Sequence, residues 1–210
     1  MGAAMSHLQS ITSIAGLTSL VVSMFPGLIA NNPSLFRPLL NVSWGYLFGS
    51  TIWLCFFSEI GLVRRIGAPK KKDLPENAEQ AKEQLKELKS TEGDFNRRNV
   101  DFRYFFSLST IFSSILLLST VKLANHNMQL RISSTIVSLS CILNNMYFQN
   151  KIHALALKKE SLFKDMVDRP KDASILVDLK KNKTDFHIHH GVSLLLLYSS
   201  FFGLTPYVFT

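Results

Sequence analysis

The charged residues of this 210-residue chain are confined to two blocks, and this segregation constrains the fold more than any other feature. Eleven of the 23 Lys and Arg residues lie at 64–103 and nine lie at 149–190. The same two blocks together contain 14 of the 15 Asp and Glu residues. Outside these blocks run long stretches with one charge or none. Such stretches are typical of membrane-spanning helices, and they exclude a disordered chain, a disulfide-rich secreted module and an ordinary soluble globule.

Five segments are long and apolar enough to cross the hydrocarbon core, which takes about 20 residues of helix. They are residues 11–30, 39–63, 104–121, 132–148 and 191–209. Their apolar residues run continuously instead of alternating, which argues against a membrane β-barrel. We therefore predict an all-α, multi-pass transmembrane helical bundle. A domain at 39–210 supplies four core spans, and an extension at 1–38 supplies one N-terminal hydrophobic span.

The first of these segments has an alternative interpretation as a cleaved secretory signal, because it lies close to the N-terminus. No Lys or Arg precedes it, and Leu28 stands where a cleavage site favours a small residue. We therefore predict that residues 11–30 are retained as a span.

Lys and Arg accumulate in the cytoplasmic loops of membrane proteins. The two charged blocks are separated by two spans, so both are predicted to be cytoplasmic loops. The block at 64–103 has eleven basic and eight acidic residues, and the block at 149–190 has nine and six, so each carries a net charge of +3. We expect both loops to be attracted to anionic lipid at the cytoplasmic face. No nucleic-acid partner is predicted, because acidic residues are interleaved and no recognition motif is present.

The first loop contains a predicted amphipathic helix at 74–89. Its apolar residues follow a helical spacing and form one narrow stripe: Leu74, Ala78, Ala81, Leu85 and Leu88. The stripe is either a docking site for a protein partner or the face by which the helix lies on its own protein, and we favour the second interpretation. In the second loop, the helix of the fourth span is predicted to continue until Arg169 and Pro170 stop it.

Two segments resemble motifs of one membrane family. Residues 49–58 read GSTIWLCFFS, similar to the G-x-x-x-W-x-x-F-x-S of the first core helix in the transmembrane protein 205-like family. Residues 186–194 read FHIHHGVSL, similar to the F-x-x-x-H-G-x-S that opens its fourth core helix. Asn144 or Asn145, followed by a basic helix at 151–159, looks like its third helix.

The resemblance covers residues 44–204 and implies a four-helix membrane bundle without an established activity. It draws attention to Gly49, Trp53, His190 and Gly191, and it supplies no catalytic residue. The span at 11–30 is additional to the family core.

Few residues in the predicted spans carry chemistry. Glu59 is the only ionisable residue within a span, and it forms either an interfacial ion pair with the nearby arginines or a proton or cation site. His187 and His190 share a helix face and are the only histidine pair we would consider as metal ligands. We predict no metal site, because a third and a fourth ligand are missing from the neighbouring sequence.

The remaining features of the spans are typical of helix packing. Gly45 and Gly49 form a GxxxG pattern that predicts a close helix contact. Asn144 and Asn145 are predicted to hydrogen-bond across helices, and Ser- and Thr-rich third and fourth spans are either packing surfaces or the wall of a polar conduit. No catalytic or cofactor-binding motif is present, so we predict neither an enzyme nor a cofactor.

The leading functional hypothesis is a non-enzymatic integral membrane protein of assembly, trafficking or membrane-organising type. Its location would be the plasma membrane or the endomembrane system, in particular the endoplasmic reticulum. The hypothesis is compatible with a homo-oligomer. The alternatives are a small transporter or channel subunit, and a supernumerary subunit of a complex in the mitochondrial inner membrane.

Overall fold

The computed structural model describes residues 2–29, 32–54, 75, 77–124, 126–169 and 172–209, and within these ranges it contains helices and no strand. The all-α prediction is therefore confirmed for the described residues. The α-helices are α1 (Gly2–Ser23), α2 (Pro33–Ile52), α3 (Ala78–Leu123), α4 (Met128–Leu143), α5 (Gln149–Asp168) and α6 (Ala173–Leu204). A π-helical segment, Asn144–Phe148, joins α4 to α5, and 3-10 turns follow α1 and α6 at Pro26–Leu28 and Thr205–Phe209.

Four of the helices begin at an asparagine or aspartate whose side chain caps them. The side-chain oxygens of Asn32, Asn77, Asn127 and Asp172 accept hydrogen bonds from backbone N–H groups in the first turns of α2, α3, α4 and α6. These bonds satisfy donors that have no partner inside a helix. The starts of the helices are thus set by local sequence.

At one end of the molecule, the first part of α3 packs against α5 and the first part of α6. We call this region the three-helix end. Its core contains Leu162, Phe163 and Met166 of α5, Ile175 and Leu179 of α6, and Ala81 of α3, with Leu85 packed against it. The amide of Asn182 adds a cross-helix bond, since its Nδ2 donates to the Leu155 carbonyl at 3.0 Å.

This packing shows what the described part of the stripe at 74–89 contacts within the chain. Ala81 is fully buried, and Leu85 contacts the core that α5 and α6 supply. The described part of the stripe is therefore covered by the chain's own helices. Leu74 and the side chains of Ala78 and Leu88 lie outside the described residues.

In the rest of the molecule, which we call the apolar half, many small polar side chains are buried and many large apolar ones are exposed, a pattern that we call reversed burial. The apolar half comprises α1, α2, α4 and the later parts of α3 and α6. In α4, Ser133, Ser134 and Ser138 are buried, whereas Ile132, Ile136, Leu139 and Leu143 are each more than 40% exposed. The helices of this half thus bury small polar side chains beside apolar ones such as Leu47, Leu116 and Val137, and expose other large apolar side chains.

Two helical segments qualify as membrane spans by length and hydropathy, Arg103–Leu123 and Ser174–Val208. The first includes the predicted span at 104–121, and the second covers the predicted span at 191–209 as far as Val208. The predicted spans at 11–30 and 132–148 correspond to α1 with its 3-10 turn and to α4 with the π-helical segment. The segment at 39–63 corresponds to α2 and to the π-helical residues 53 and 54, beyond which it lies outside the described residues.

Close helix contacts occur at glycines other than those of the GxxxG pattern. A Cβ atom at Gly16 would lie 2.8 Å from Ile142 Cγ1 and 2.9 Å from Thr110 Cγ2, so α1 approaches α3 and α4 closely there. A Cβ atom at Gly203 would likewise lie 2.8 Å from Val137 Cγ2, so α6 approaches α4 closely there. In the described structure nothing lies within 4 Å of such an atom at Gly45 or Gly49, which are exposed. The close contact predicted from Gly45 and Gly49 is therefore absent from the described part of this chain.

We expect Phe163→Ala to destabilise the three-helix end by about 3–5 kcal/mol, because it would leave a cavity in that core. Hydrogen exchange of α5 amides in mild detergent measures the loss. Leu157→Ala is the matched control, since Leu157 lies on the same helix and is 50% exposed, and its cost should stay within about 0.5 kcal/mol. Equal effects of the two variants would contradict the assignment of this core.

Candidate functional site

The two consecutive asparagines at the end of α4 occupy the π-helical segment and are almost completely buried. A π-helical turn widens the helix locally and often marks functional sites. Neighbouring residues on a helix point in different directions, so the two amides reach different helices. Each must find partners, because an unpaired buried amide costs free energy.

Asn145 joins α4 to α1 and α3. Its Nδ2 donates to Thr12 Oγ1 at 2.9 Å and to Ser13 Oγ at 3.1 Å, and lies 3.4 Å from the Gln9 carbonyl oxygen. Its Oδ1 accepts a bond from Ser107 Oγ at 3.1 Å. One side chain therefore holds three helices together.

Asn144 joins α4 to α6. Ser193 Oγ donates to Asn144 Oδ1 at 2.6 Å, and Asn144 Nδ2 donates to the Ser193 carbonyl oxygen at 3.3 Å. Gln149 Nε2, also buried, lies 3.5 Å from Ser193 Oγ. We call these side chains together the amide cluster: Gln9, Thr12, Ser13, Ser107, Asn144, Asn145, Gln149 and Ser193.

The other buried hydroxyl groups between α3 and α4 bond mainly to helix carbonyls. Thr110 Oγ1 donates to the carbonyls of Phe106 and Cys141, and Ser138 Oγ donates to that of Ser113. Such bonds let two helices pack closely, and they leave few hydroxyl groups free to line a polar conduit. The contacts favour the packing interpretation of the Ser- and Thr-rich segments over a polar conduit.

At the opposite end of the apolar half, hydrogen bonds tie the ends of the helices together. Tyr207 Oη lies 2.6 Å from Thr120 Oγ1 and donates to the Leu130 carbonyl, while Trp44 Nε1 donates to the Leu204 carbonyl at 3.0 Å. Lys122 Nζ donates to the Ile29 carbonyl at 3.0 Å. The amide cluster and this second set of bonds therefore hold the helices at both ends.

The histidines of α6 are placed for contacts with their own helix and its neighbour. His187 is exposed, and the His190 ring stacks on Phe186 with a centroid distance of 5.8 Å. His189 Nδ1 lies 2.7 Å from the Asp185 carbonyl oxygen. Among the described residues, no group of three His, Cys, Asp or Glu side chains is arranged to hold a metal ion. Gly191 is open on its Cβ side, so no other described helix approaches it closely.

The remaining predicted residues lie at or beyond the end of α2. Trp53 is 61% exposed, so its ring contributes to the surface of the apolar half. Glu59 lies outside the described residues, as does the second half of the motif at 49–58.

Basic side chains from different helices come close together in the three-helix end. Lys159 of α5 lies over the Phe163 ring, 5.5 Å from its centroid. Burial, and then the charge of Lys183 on α6, lower the pKa of Lys159. Burial and the charge of Arg103 likewise lower the pKa of His153. Lys159 on α5, Lys183 on α6 and Arg103 on α3 thus place positive charges on neighbouring helices, and the lowered pKa of His153 favours its neutral form.

The contribution of α1 to the site was not predicted. Gln9, Thr12, Ser13, Gly16 and Ser19 are spaced so that they fall on one face of the helix, and this face is buried. A polar face on an otherwise apolar helix indicates contact with a polar partner inside a bundle. That pattern could have identified which face of the predicted span at 11–30 packs against the other helices.

We expect Asn145→Leu to destabilise the protein by about 1–3 kcal/mol, because the groups of α1 and α3 that bond to Asn145 would lose their shared partner. Thermal unfolding in mild detergent measures the change. Asn150→Leu is the control: Asn150 is exposed, and its amide donates only to the Met146 carbonyl of its own helix. If both variants unfolded at the wild-type temperature, the amide cluster would not hold the helices together.

The comparisons with known proteins give a family and no activity. No curated protein and no solved structure is significantly similar to this chain. A family model described as a domain of unknown function, DUF4149, matches residues 42–161, which is more than half of the chain. The matched segment includes Asn144 and Asn145 but neither α1 nor α6, both of which contribute to the amide cluster. The chain belongs to this family of domains of unknown function.

Proposed function

We propose that the chain is an integral multi-pass membrane protein that holds a basic helical bundle at one face of the bilayer. The observation that carries this proposal is the reversed burial in the apolar half. Leu195 and Phe202 of α6 are 66% and 67% exposed, whereas Ser193 and Ser200 of the same helix are buried. Water would oppose this arrangement, whereas lipid tails accept apolar side chains and favour burial of polar ones.

In this proposal five helical segments cross the membrane: α1, α2, α4 with the π-helical segment, and the later parts of α3 and α6. The start of α1 meets Ser107 of α3 and Asn145 through the amide cluster, so it lies at the end of the apolar half that adjoins the three-helix end. The N-terminal end of α1 and the three-helix end then share one side of the membrane. The excess of Lys and Arg in the charged blocks favours the cytoplasmic side.

The resemblance to the transmembrane protein 205-like family is part of the same proposal. It is supported by the family match, which spans the motif at 49–58, Asn144 and Asn145 and the basic helix at 151–159. The second motif, at 186–194, lies outside the matched segment and rests on the sequence alone.

We propose further that the three-helix end works without catalysis, as a binding surface for an acidic protein partner in an assembly or trafficking role. Its apolar stripe is already covered by the chain itself, which leaves charge as the means of recognition. Lys159 and Lys183 lie on adjacent helices and repel each other, so an acidic partner between them would relieve the repulsion.

The distance of these lysines from the membrane surface favours a protein as their binding partner over lipid head groups. Lys159 lies eleven residues beyond Phe148 on a helix that rises about 1.5 Å per residue, which places it about 16 Å along the axis. Charges are screened over about 8 Å at physiological salt. Lys151, only three residues beyond Phe148, is the residue of α5 best placed to attract anionic lipid.

The double substitution Lys159→Gln and Lys183→Gln tests the binding surface. We expect it to reduce the recovery of cross-linked acidic partners from intact membranes several-fold, because both charges that face the partner are lost. Lys82→Gln with Lys86→Gln is the matched control, since these exposed residues lie on α3 of the same three-helix end and change the net charge equally.

The readout is quantitative cross-linking mass spectrometry of a tagged chain, with imaging of the same tag to locate it. We propose the endoplasmic reticulum or the plasma membrane, with the mitochondrial inner membrane as the alternative. Equal recovery with both double variants would contradict a specific basic surface on α5 and α6.

A further inference from the structure

A groove of about 350 Å³ lies between α1 and the end of α4, beside the amide cluster. Gln9, Asn145 and Asn150 contribute amide groups to its lining, and Ile14, Leu17 and Met146 contribute apolar surface. Its volume is within the range of pockets that bind small molecules, about 300–1,000 Å³. It is therefore large enough to hold part of an amphipathic molecule.

The polarity of the groove changes along α1. Gln9 precedes Ile14 and Leu17 by five and eight residues, which corresponds to about 7 and 12 Å along the helix axis. The polar end adjoins the three-helix end, and the apolar end runs into the apolar half. This is the direction in which the polarity of a lipid molecule decreases, from its glycerol esters into its acyl chains.

Gln9 provides an unused hydrogen-bond donor at the polar end. The residue is only 5% exposed, its Nε2 is itself buried, and this atom has no hydrogen-bond partner among the described residues. A buried amide without a partner is rare, and a bound ligand is one of its explanations. A rotation of the Gln9 side chain toward the groove would let a carbonyl oxygen there accept a hydrogen bond from this donor.

The lining also indicates the charge of the occupant. The residues that line the groove are amides, hydroxyls and apolar side chains, and none of them is ionisable at neutral pH. Phosphate and carboxylate groups are usually bound by Arg or Lys. An ester carbonyl needs only neutral donors such as these.

We propose that this groove binds one glycerolipid molecule through an acyl ester. An ester carbonyl accepts a hydrogen bond from Gln9 Nε2, and the first methylene groups of the acyl chain lie along Ile14 and Leu17. The inference goes beyond the proposed binding of a protein partner, and it rests only on the membrane location in that proposal.

Native mass spectrometry of the purified full-length protein in mild detergent tests the site. The probes are a diacyl phosphatidylcholine and its dialkyl ether analogue, which has the same head group and chain length but no ester carbonyl. We expect wild-type protein to retain one diacyl lipid and to bind the ether analogue about fivefold more weakly. Gln9→Leu should bind both probes as weakly as wild-type protein binds the ether analogue.

Two further variants separate the site from the stability of the fold. Gln129→Leu is the matched control: Gln129 is an exposed glutamine of α4 that does not line the groove, and this variant should retain the ester preference. Ile14→Trp fills the groove from an exposed position and should displace the lipid while the unfolding temperature stays the same. This variant tests the site even if Gln9→Leu fails to fold.

Equal binding of the ester and ether probes to wild-type protein would overturn the proposal. So would unchanged ester binding by Gln9→Leu or Ile14→Trp, or a strong preference for an anionic lipid of the same chain length. In each case the protein would still fractionate with membranes. Release of the protein into buffer without detergent would instead overturn the membrane location, so the two failures can be told apart.

Discussion

The polar groups buried among the helices of the apolar half need hydrogen-bond partners, and the rest of the structure depends on this requirement. Lipid tails offer no such partners, so buried amides and hydroxyls are stabilised by bonds within the protein, and Gln9 Nε2 is one of the exceptions among the described residues. Asn144 and Asn145 meet the requirement by bonding to α6 and to α1 and α3. The same requirement favours serines and threonines inside the bundle, where they lie beside buried leucines such as Leu47 and Leu116, while other leucines and isoleucines face outward.

A second physical constraint is the continuity of α3, which extends from Ala78 to Leu123 without a break. One end of this helix packs in the three-helix end and the other packs in the apolar half. The two regions therefore share a helix instead of a linker, and α6 joins them in the same way. A partner bound to the basic face of α5 and α6 would be held at a fixed height and orientation above the membrane.

The sequence predicts the helices better than it predicts their contacts. A helix at 78–89 and a span at 104–121 follow from local composition, and no proline lies between them, so their fusion into α3 is consistent with the sequence. The stop at Arg169 follows equally from the proline after it. Which faces meet depends on tertiary packing: among the described residues the close contacts are at Gly16 and Gly203, and none is at Gly45 or Gly49.

The candidate site shows the same limit. Two adjacent asparagines in an apolar segment are a strong signal that their amides bond to other helices. Their partners Thr12, Ser13 and Ser193 are common residue types, and only the three-dimensional arrangement identifies them. The groove beside Gln9 leaves no local pattern in the sequence, because α1 and the π-helical segment that form it are more than 130 residues apart in the chain.

The reversed burial of the apolar half is tested most directly by spin-label accessibility in liposomes. Single nitroxide labels would replace Ile136, Leu195 and Lys183, and power saturation would compare collisions with oxygen, which enters the bilayer, and with a water-soluble nickel complex. We expect the labels at Ile136 and Leu195 to favour oxygen and the label at Lys183 to favour nickel. Nickel accessibility at Leu195 equal to that at Lys183 would show a water-facing surface and would contradict a membrane-embedded bundle.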